Sequence, residues 1–349
     1  MLRSISLLFL LFQTSLSFAQ LLPQPDHVVI LIMENHDYSQ IIGEPNLPYL
    51  NSLVPQGALF TNYYALTHPS QPNYIRMFSG DSQGVIADFV PLFAPFDTPN
   101  LGAALLQNGR TFFGFSEDLP SVGFTGAESG KYVRKHAPWV NWIGGDANAI
   151  PANKHRPFTD FPTDFNQLPT ISFVIPNLDN DLHDNPTDYA TSDLWIQNHL
   201  DAYIQWAKTN NSLLILTFDE GELLGDNKIA TIMVGEPVKL GEYNTHYDHY
   251  DLLRTLLDMY NLPACGESNS ATPITGCWKT CSLIHPQITG DADACPSNTA
   301  TYNVQAVAGT TYNWTVNGGT IISGQGTAQI QVQWNNDTAG TVDVVQSVP

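Results

Sequence analysis

The sequence predicts an α/β fold, a mostly parallel β-sheet sandwiched by helices, with a small β-sandwich module at its C-terminal end. Apolar runs of strand length alternate with helix-period segments through the first two thirds of the 349 residues. Those runs are continuous rather than alternating, the pattern of strands covered on both faces. After Pro263 the composition shifts to Thr, Val, Gly and aromatics, and Lys279 is the last basic residue.

In chain order, Arg3, the apolar run Ile5 to Phe12 and the small-residue ending Ser17-Phe18-Ala19 predict a signal peptide over residues 1–19, cleaved after Ala19. The mature chain is then expected to be soluble and secreted, to the periplasm or beyond, because no apolar run is long enough to span a bilayer. His27 to Met33 (HVVILIM) is a buried strand. A strand-like Ala58 to Tyr63 leads through Ala65 to Tyr74 (ALTHPSQPNY) into a helix. Phe89 to Phe96 (FVPLFAPF) reads as a loop buried in the core, the alternative being a lipid-facing lid. Leu101 to Gln107 is helical, and Thr111 to Phe115 a strand. Strands Ile171 to Ile175 and Leu213 to Phe218 are separated by a helix Asp193 to Lys208, with Ser192 placed as its cap. Strand Ile229 to Val234 and helix Tyr250 to Tyr260 complete a catalytic domain over residues 20–264.

A cysteine-containing linker, 265–286, and a module, 287–349, follow. Its segments ATYNVQAV, TYNWTV, AQIQVQW and TVDVVQ are short strands at regular spacing, separated by Gly and Asn turns. In an exported chain the four cysteines are expected as disulfides, Cys265 with Cys277 and Cys281 with Cys295. A formal charge of −20 argues against nucleic acid as a binding partner, since phosphate backbones are held by basic patches.

In parallel sheets ligands gather beyond the carboxyl ends of the strands. Those positions are acidic and histidine-rich here: Glu34-Asn35-His36, Pro176 to Asp184 (PNLDNDLHD), Asp219-Glu220 and Thr245 to Asp251 (THYDHYD). Each stretch alone reads as a cap or an acidic turn. Together they would repel one another unless a positive charge lay between them, so one or two divalent metal ions are the expected cofactor. Ser70 falls at a helix N-terminus, where free N–H groups and the helix dipole favour an anion. A metal-activated hydroxyl there can attack phosphorus, with Asn73 donating to a phosphate oxygen.

The set MENHDY, THPSQPNY, YVRKHAPW, NDLHD, TFDEGE and HYDLLRT, in this order, resembles the phosphoesterase family of bacterial and fungal acid phosphatases and non-haemolytic phospholipases C, within the alkaline phosphatase superfamily. The likeness spans roughly Asp26 to Pro263. Thr311 to Val316 and Gly324 to Thr327 resemble PKD-like, immunoglobulin-like modules. The resemblance implies that Ser70 is the nucleophile and that Glu34, Asn35, Ser70, Asp219 and Glu220 bind metal. Asp179 and His183 keep the Asp-x-x-x-His spacing of a second metal site, although Asn177 is an alternative to Asp179, and His249, which matches the family's His before the final helix, is implied as a further metal ligand. It further implies that His68 and His136 contact phosphate or assist proton transfer, and that His183 or His249 protonates the leaving alkoxide. Asp37, Asn185 and Leu257 depart from the family pattern.

The expected activity is a secreted, metal-dependent phosphomonoesterase of the acid phosphatase type, working through a phosphoseryl intermediate. A phosphodiesterase or phospholipase C acting on lipid head groups is one alternative. The other is an inactive secreted binding protein whose C-terminal module contacts glycan or a surface.

Overall fold

The computed structural model describes residues 22–279, 286–290, 297–307, 310–335 and 340–347. The segment expected as a signal peptide, and Cys281 and Cys295 with their expected pairing, lie outside the described residues. Two compact units divide at Lys279/Thr280.

The first unit is built on an eight-stranded sheet in the order 241–243, 58–60, 231–235, 212–218, 27–33, 171–175, 112–116, 155–157. Thr231–Gly235 alone runs antiparallel to its neighbours, and the other pairings in this sheet are parallel. His27–Met33 lies at the centre, and from Val28 to Met33 its side chains are fully buried, as expected of a strand covered by helices on both faces. Gly114, on Phe112–Ser116, makes room for a neighbour: a Cβ there would stand 2.0 Å from the Trp139 indole.

The predicted elements are present with shifted ends. The long helix runs Tyr189–Ala207 and is capped by Asp188, whose carboxylate accepts from Thr191 N–H at 3.2 Å. Ser192, expected as the cap, is instead buried inside the helix. Its neighbour Asp193 reaches across to accept from the backbone N–H groups of Tyr49 and Leu50, at the start of helix Pro48–Leu53. The last helix is His249–Met259, capped by Asp248. The Ala58 to Tyr63 strand splits into Ala58–Phe60 and Tyr63–Tyr64.

Residues 265–279, read as linker, pack into this unit, where Ile274, Cys277 and Trp278 are buried. The expected Cys265–Cys277 disulfide is not formed, and both are free thiols. They serve different neighbourhoods. The backbone of Cys265 lies against Gly80, which ends helix Ser70–Ser79 at a φ of 74°, while the carbonyl of Cys277 accepts from Lys239 N–H at 2.8 Å.

In the second unit, antiparallel strands form a four-stranded and a two-stranded sheet. Tyr302, Tyr312, Trp314, Ile330, Val332 and Val344 share one core. All four predicted segments contribute strands, joined by Gly319–Ser323 and the short Thr289–Gly290.

Candidate active site

Strand register assembles the site. Met33 pairs with Phe218 in adjacent parallel strands, so the residues that follow, Glu34 and Asp219, leave the sheet side by side. On the other side of the central strand, the loop after Ile175 returns until the Asp181 carbonyl accepts from Glu34 N–H at 2.9 Å. Asn35 takes the left-handed conformation, φ 56°, which asparagine tolerates better than most residues. Its N–H thereby points at Asp219 Oδ1, 3.1 Å away.

Ser70 opens helix Ser70–Ser79 and is nearly fully buried, and its Oγ donates to Glu34 Oε2 at 3.0 Å. One turn along, Tyr74 donates from its hydroxyl to Glu34 Oε1 at 2.5 Å and stacks on the His136 ring. The two His136 nitrogens face Glu34 Oε1 at 3.2 Å and Asp181 Oδ2 at 3.3 Å. Beside it, His183 accepts from Lys135 Nζ at 2.9 Å through Nε2, and through Nδ1 it donates to Asp184 at 2.9 Å. Glu220 Oε2 faces His68 Nδ1 and accepts from Asn73 Nδ2, both at 3.1 Å. The Asn73 oxygen accepts from Leu66 and Thr67 N–H, so Asn73 fixes the loop before the helix as well as the carboxylate.

Glu34, Asp181, Asp219 and Glu220 are thus gathered as four buried carboxylates, with Lys135 as the cation they share. Burial, reinforced by mutual repulsion, pushes Glu34 and Asp181 well above the carboxylate range. Burial likewise raises Asp219 to about 7, and burial and then Asp219 raise Glu220 to about 9. Among the described residues Asp219 Oδ2 has no hydrogen-bond partner, and Asp181 Oδ2 faces His136 Nδ1 at 3.3 Å. Carboxylates this deep are costly without a counter-charge. The donor set therefore fits a divalent cation, and Glu34, His136 and His183 each offer a ligand atom within 4.8 Å of the others.

Not every sequence-predicted residue is placed in this cluster. Asp179 is paired with Lys131 Nζ at 2.7 Å and its side chain is 40% exposed. Asn177 donates to Asp118. Asp181, two residues on from Asp179, is the carboxylate of that loop that is brought to Glu34 and His136. Asp181→Asn is expected to lower kcat/KM by about 10- to 100-fold, a typical cost at a metal site, and Asp179→Asn by less than about threefold. His249 is buried, with both nitrogens engaged: Nε2 donates to the Asp219 carbonyl at 2.8 Å and Nδ1 faces Tyr63 OH at 3.4 Å. Burial lowers its pKa to about 4, consistent with a neutral ring that holds Asp219 in place. Tyr74, Lys135 and Asp181 were not singled out from sequence, yet each lies within a motif quoted for its other residues.

The phosphoesterase family profile matches residues 44–263, more than half of the sequence. The chain belongs to the phosphoesterase family. It is, accordingly, a phosphoric ester hydrolase, and a PKD-like domain profile matches residues 282–348. A protein of Mycobacterium tuberculosis named phosphatidylinositol-3-phosphatase is 45% identical over 74% of this chain and 85% of its own length. A phosphate-repressible acid phosphatase of Penicillium chrysogenum is 32% identical over 69% of this chain, and a probable acid phosphatase of Kluyveromyces lactis is 32% identical over 68%. The matches cover 60% and 58% of those two fungal proteins. The crystal structure of an alkaline phosphatase superfamily protein from Vibrio parahaemolyticus superposes with a TM-score of 0.50 at 12% identity, over 95% of this chain and 84% of that one, a likeness of fold.

Proposed function

We propose that this phosphoesterase hydrolyses phosphomonoesters through a phosphoseryl intermediate at Ser70, with a divalent cation as cofactor. The observation that carries this reading is the buried Ser70 hydroxyl, hydrogen-bonded to Glu34 beside four buried carboxylates that share a single lysine, Lys135. A cation held by Glu34, Asn35, Asp219 and Glu220, with Asp181, His136 and His183 adjoining, would supply charge to the phosphoryl oxygens and acidify the serine hydroxyl.

Ser70 Oγ attacks phosphorus in line while its proton leaves along the hydrogen bond to Glu34 Oε2. The ester P–O bond breaks, and the alkoxide takes a proton from the Lys135–His183 pair. This pair suits the role better than His249, whose nitrogens are engaged behind Asp219. Water then attacks the phosphoserine and gives a proton back to the Lys135–His183 pair, the bond from phosphorus to Ser70 Oγ breaks, and phosphate departs as Ser70 regains its proton from Glu34. Lys135 Nζ also offers a fixed positive charge to the substrate's oxygens.

A lipid-borne ester is the second reading, favoured by the name of the Mycobacterium relative and by the exposure of Phe93. Export of the chain, and surface or glycan contact through its PKD-like module, accompany the proposal. The inactive-binder alternative has the intact carboxylate cluster against it. Assays of p-nitrophenyl phosphate against bis-p-nitrophenyl phosphate, with and without chelator, test the reading. Chelator-sensitive turnover with the monoester preferred is expected; a preference for the diester overturns it.

A further inference from the structure

Phe89 to Phe96, expected from sequence as a loop buried in the core, is largely exposed, and the exposure extends back to Ile86. Phe96 is buried against Trp142, but Ile86 is 76% exposed, Leu92 85% and Phe93 84%, with Phe89 and Val90 also exposed. Asp88, the sole charged residue in this stretch, is tied to the site, although its side chain stays 26% exposed. Its Oδ1 accepts from Gln71 N–H at 2.9 Å and its Oδ2 from Lys135 Nζ at 2.9 Å. Gln71 returns the contact by accepting from Phe89 N–H at 3.0 Å. The loop is therefore rooted on the residue next to Ser70 and on the cation of the site, with its one charge paired there and its large apolar side chains exposed. That is the reverse of a solvated loop. Leu223 and Leu224, 75% and 97% exposed, crown a second turn that leaves directly from Glu220. Asp37 holds that turn by accepting from Glu222 N–H at 3.1 Å.

We infer that the 86–93 loop is a membrane-docking element, which inserts Leu92 and Phe93 into a lipid surface and presents lipid-borne phosphomonoesters to Ser70. The inference rests on the function proposed above for the substrate, though not for the docking itself. Side chains this exposed sit on a projecting tip, which a deformable apolar phase accommodates more readily than the flat face of a folded partner. The charge of −20 disfavours attraction to anionic head groups, so apolar insertion must supply the binding, and it should persist at high salt. Continuity with the site argues for a bilayer that also carries the ester.

The test uses the full chain and phosphatidylcholine vesicles containing a minor fraction of phosphatidic acid. Wild type is expected to co-sediment at both low and high salt. The double variant Leu92→Gln/Phe93→Gln is expected to lose about tenfold or more in vesicle partitioning and to release less phosphate from vesicles, with unchanged turnover of p-nitrophenyl phosphate. Wild type that stays in the supernatant, or a variant that sediments equally, overturns the inference. So does a wild-type dimer that the same substitutions dissociate, because a second copy would then cover the loop. Loss of p-nitrophenyl phosphate turnover by wild type would instead strike the proposed function, leaving sedimentation to judge the docking.

Discussion

Ser70→Ala is expected to lower phosphomonoester turnover by about 10^3- to 10^6-fold, the range for loss of a nucleophile from a site that otherwise remains intact. The fold should survive the change. Ser70 is the first residue of its helix, Asn73 holds the preceding loop independently of it, and Gly80 ends the helix whatever stands at position 70. Alanine removes one hydroxyl and leaves Glu34 hydrogen-bonded by Tyr74. Thermal melting within a few degrees of wild type, alongside near-zero turnover, would separate chemistry from stability. A second readout is covalent: acid-quenched wild type exposed to labelled monoester should carry phosphate on the peptide containing Ser70, and the variant should carry none. Full activity in Ser70→Ala would remove the phosphoseryl intermediate from the mechanism.

How far the site was legible in sequence depended on distance from a strand end. Glu34, Asp219 and Glu220 directly follow strands whose apolar runs are unmistakable, and the Met33–Phe218 register sets the first two side by side. Asp181 lies six residues beyond Ile175, in a loop that also carries Asp179 and Asp184. Spacing cannot choose among three acids in one loop. The choice is made by the hydrogen bond from Glu34 N–H to the Asp181 carbonyl, a tertiary contact. Phe89 to Phe96 departs from its expected place for a related reason. Its composition is that of a core, yet the tertiary contacts of the neighbouring Asp88 with Lys135 and Gln71 fix the loop at the site while Leu92 and Phe93 stand exposed. Ser192 was displaced as a cap by Asp188, because Asp193 caps another helix and the long helix must begin a turn earlier to bring it there.

Added divalent cation is expected to raise the melting temperature more at pH 8 than at pH 5. The sign follows from the carboxylates. Asp219 titrates near 7 and Glu220 near 9 in the folded protein, against about 4 when unfolded, so the metal-free folded state binds more protons than the unfolded chain. Their contribution is fully present below about pH 4 and is lost as pH rises through 7 and then 9, so metal-free stability falls across that window. A cation competes with those protons, and at pH 8 it meets carboxylates that repel one another. At about 100 times its dissociation constant it should add roughly 3 kcal/mol, or about 5–10 °C for a unit of this size, with much less at pH 5. Scanning calorimetry of chelator-treated protein with Mg²⁺, Mn²⁺, Ca²⁺ or Zn²⁺ at each pH measures it. Asp219→Asn/Glu220→Gln should reduce both the pH slope and the metal response, leaving the share of Glu34 and Asp181, since amides hold neither the extra protons nor the charge. A melting shift equal at both pH values, or one undiminished by that double substitution, would place the cation away from Asp219 and Glu220.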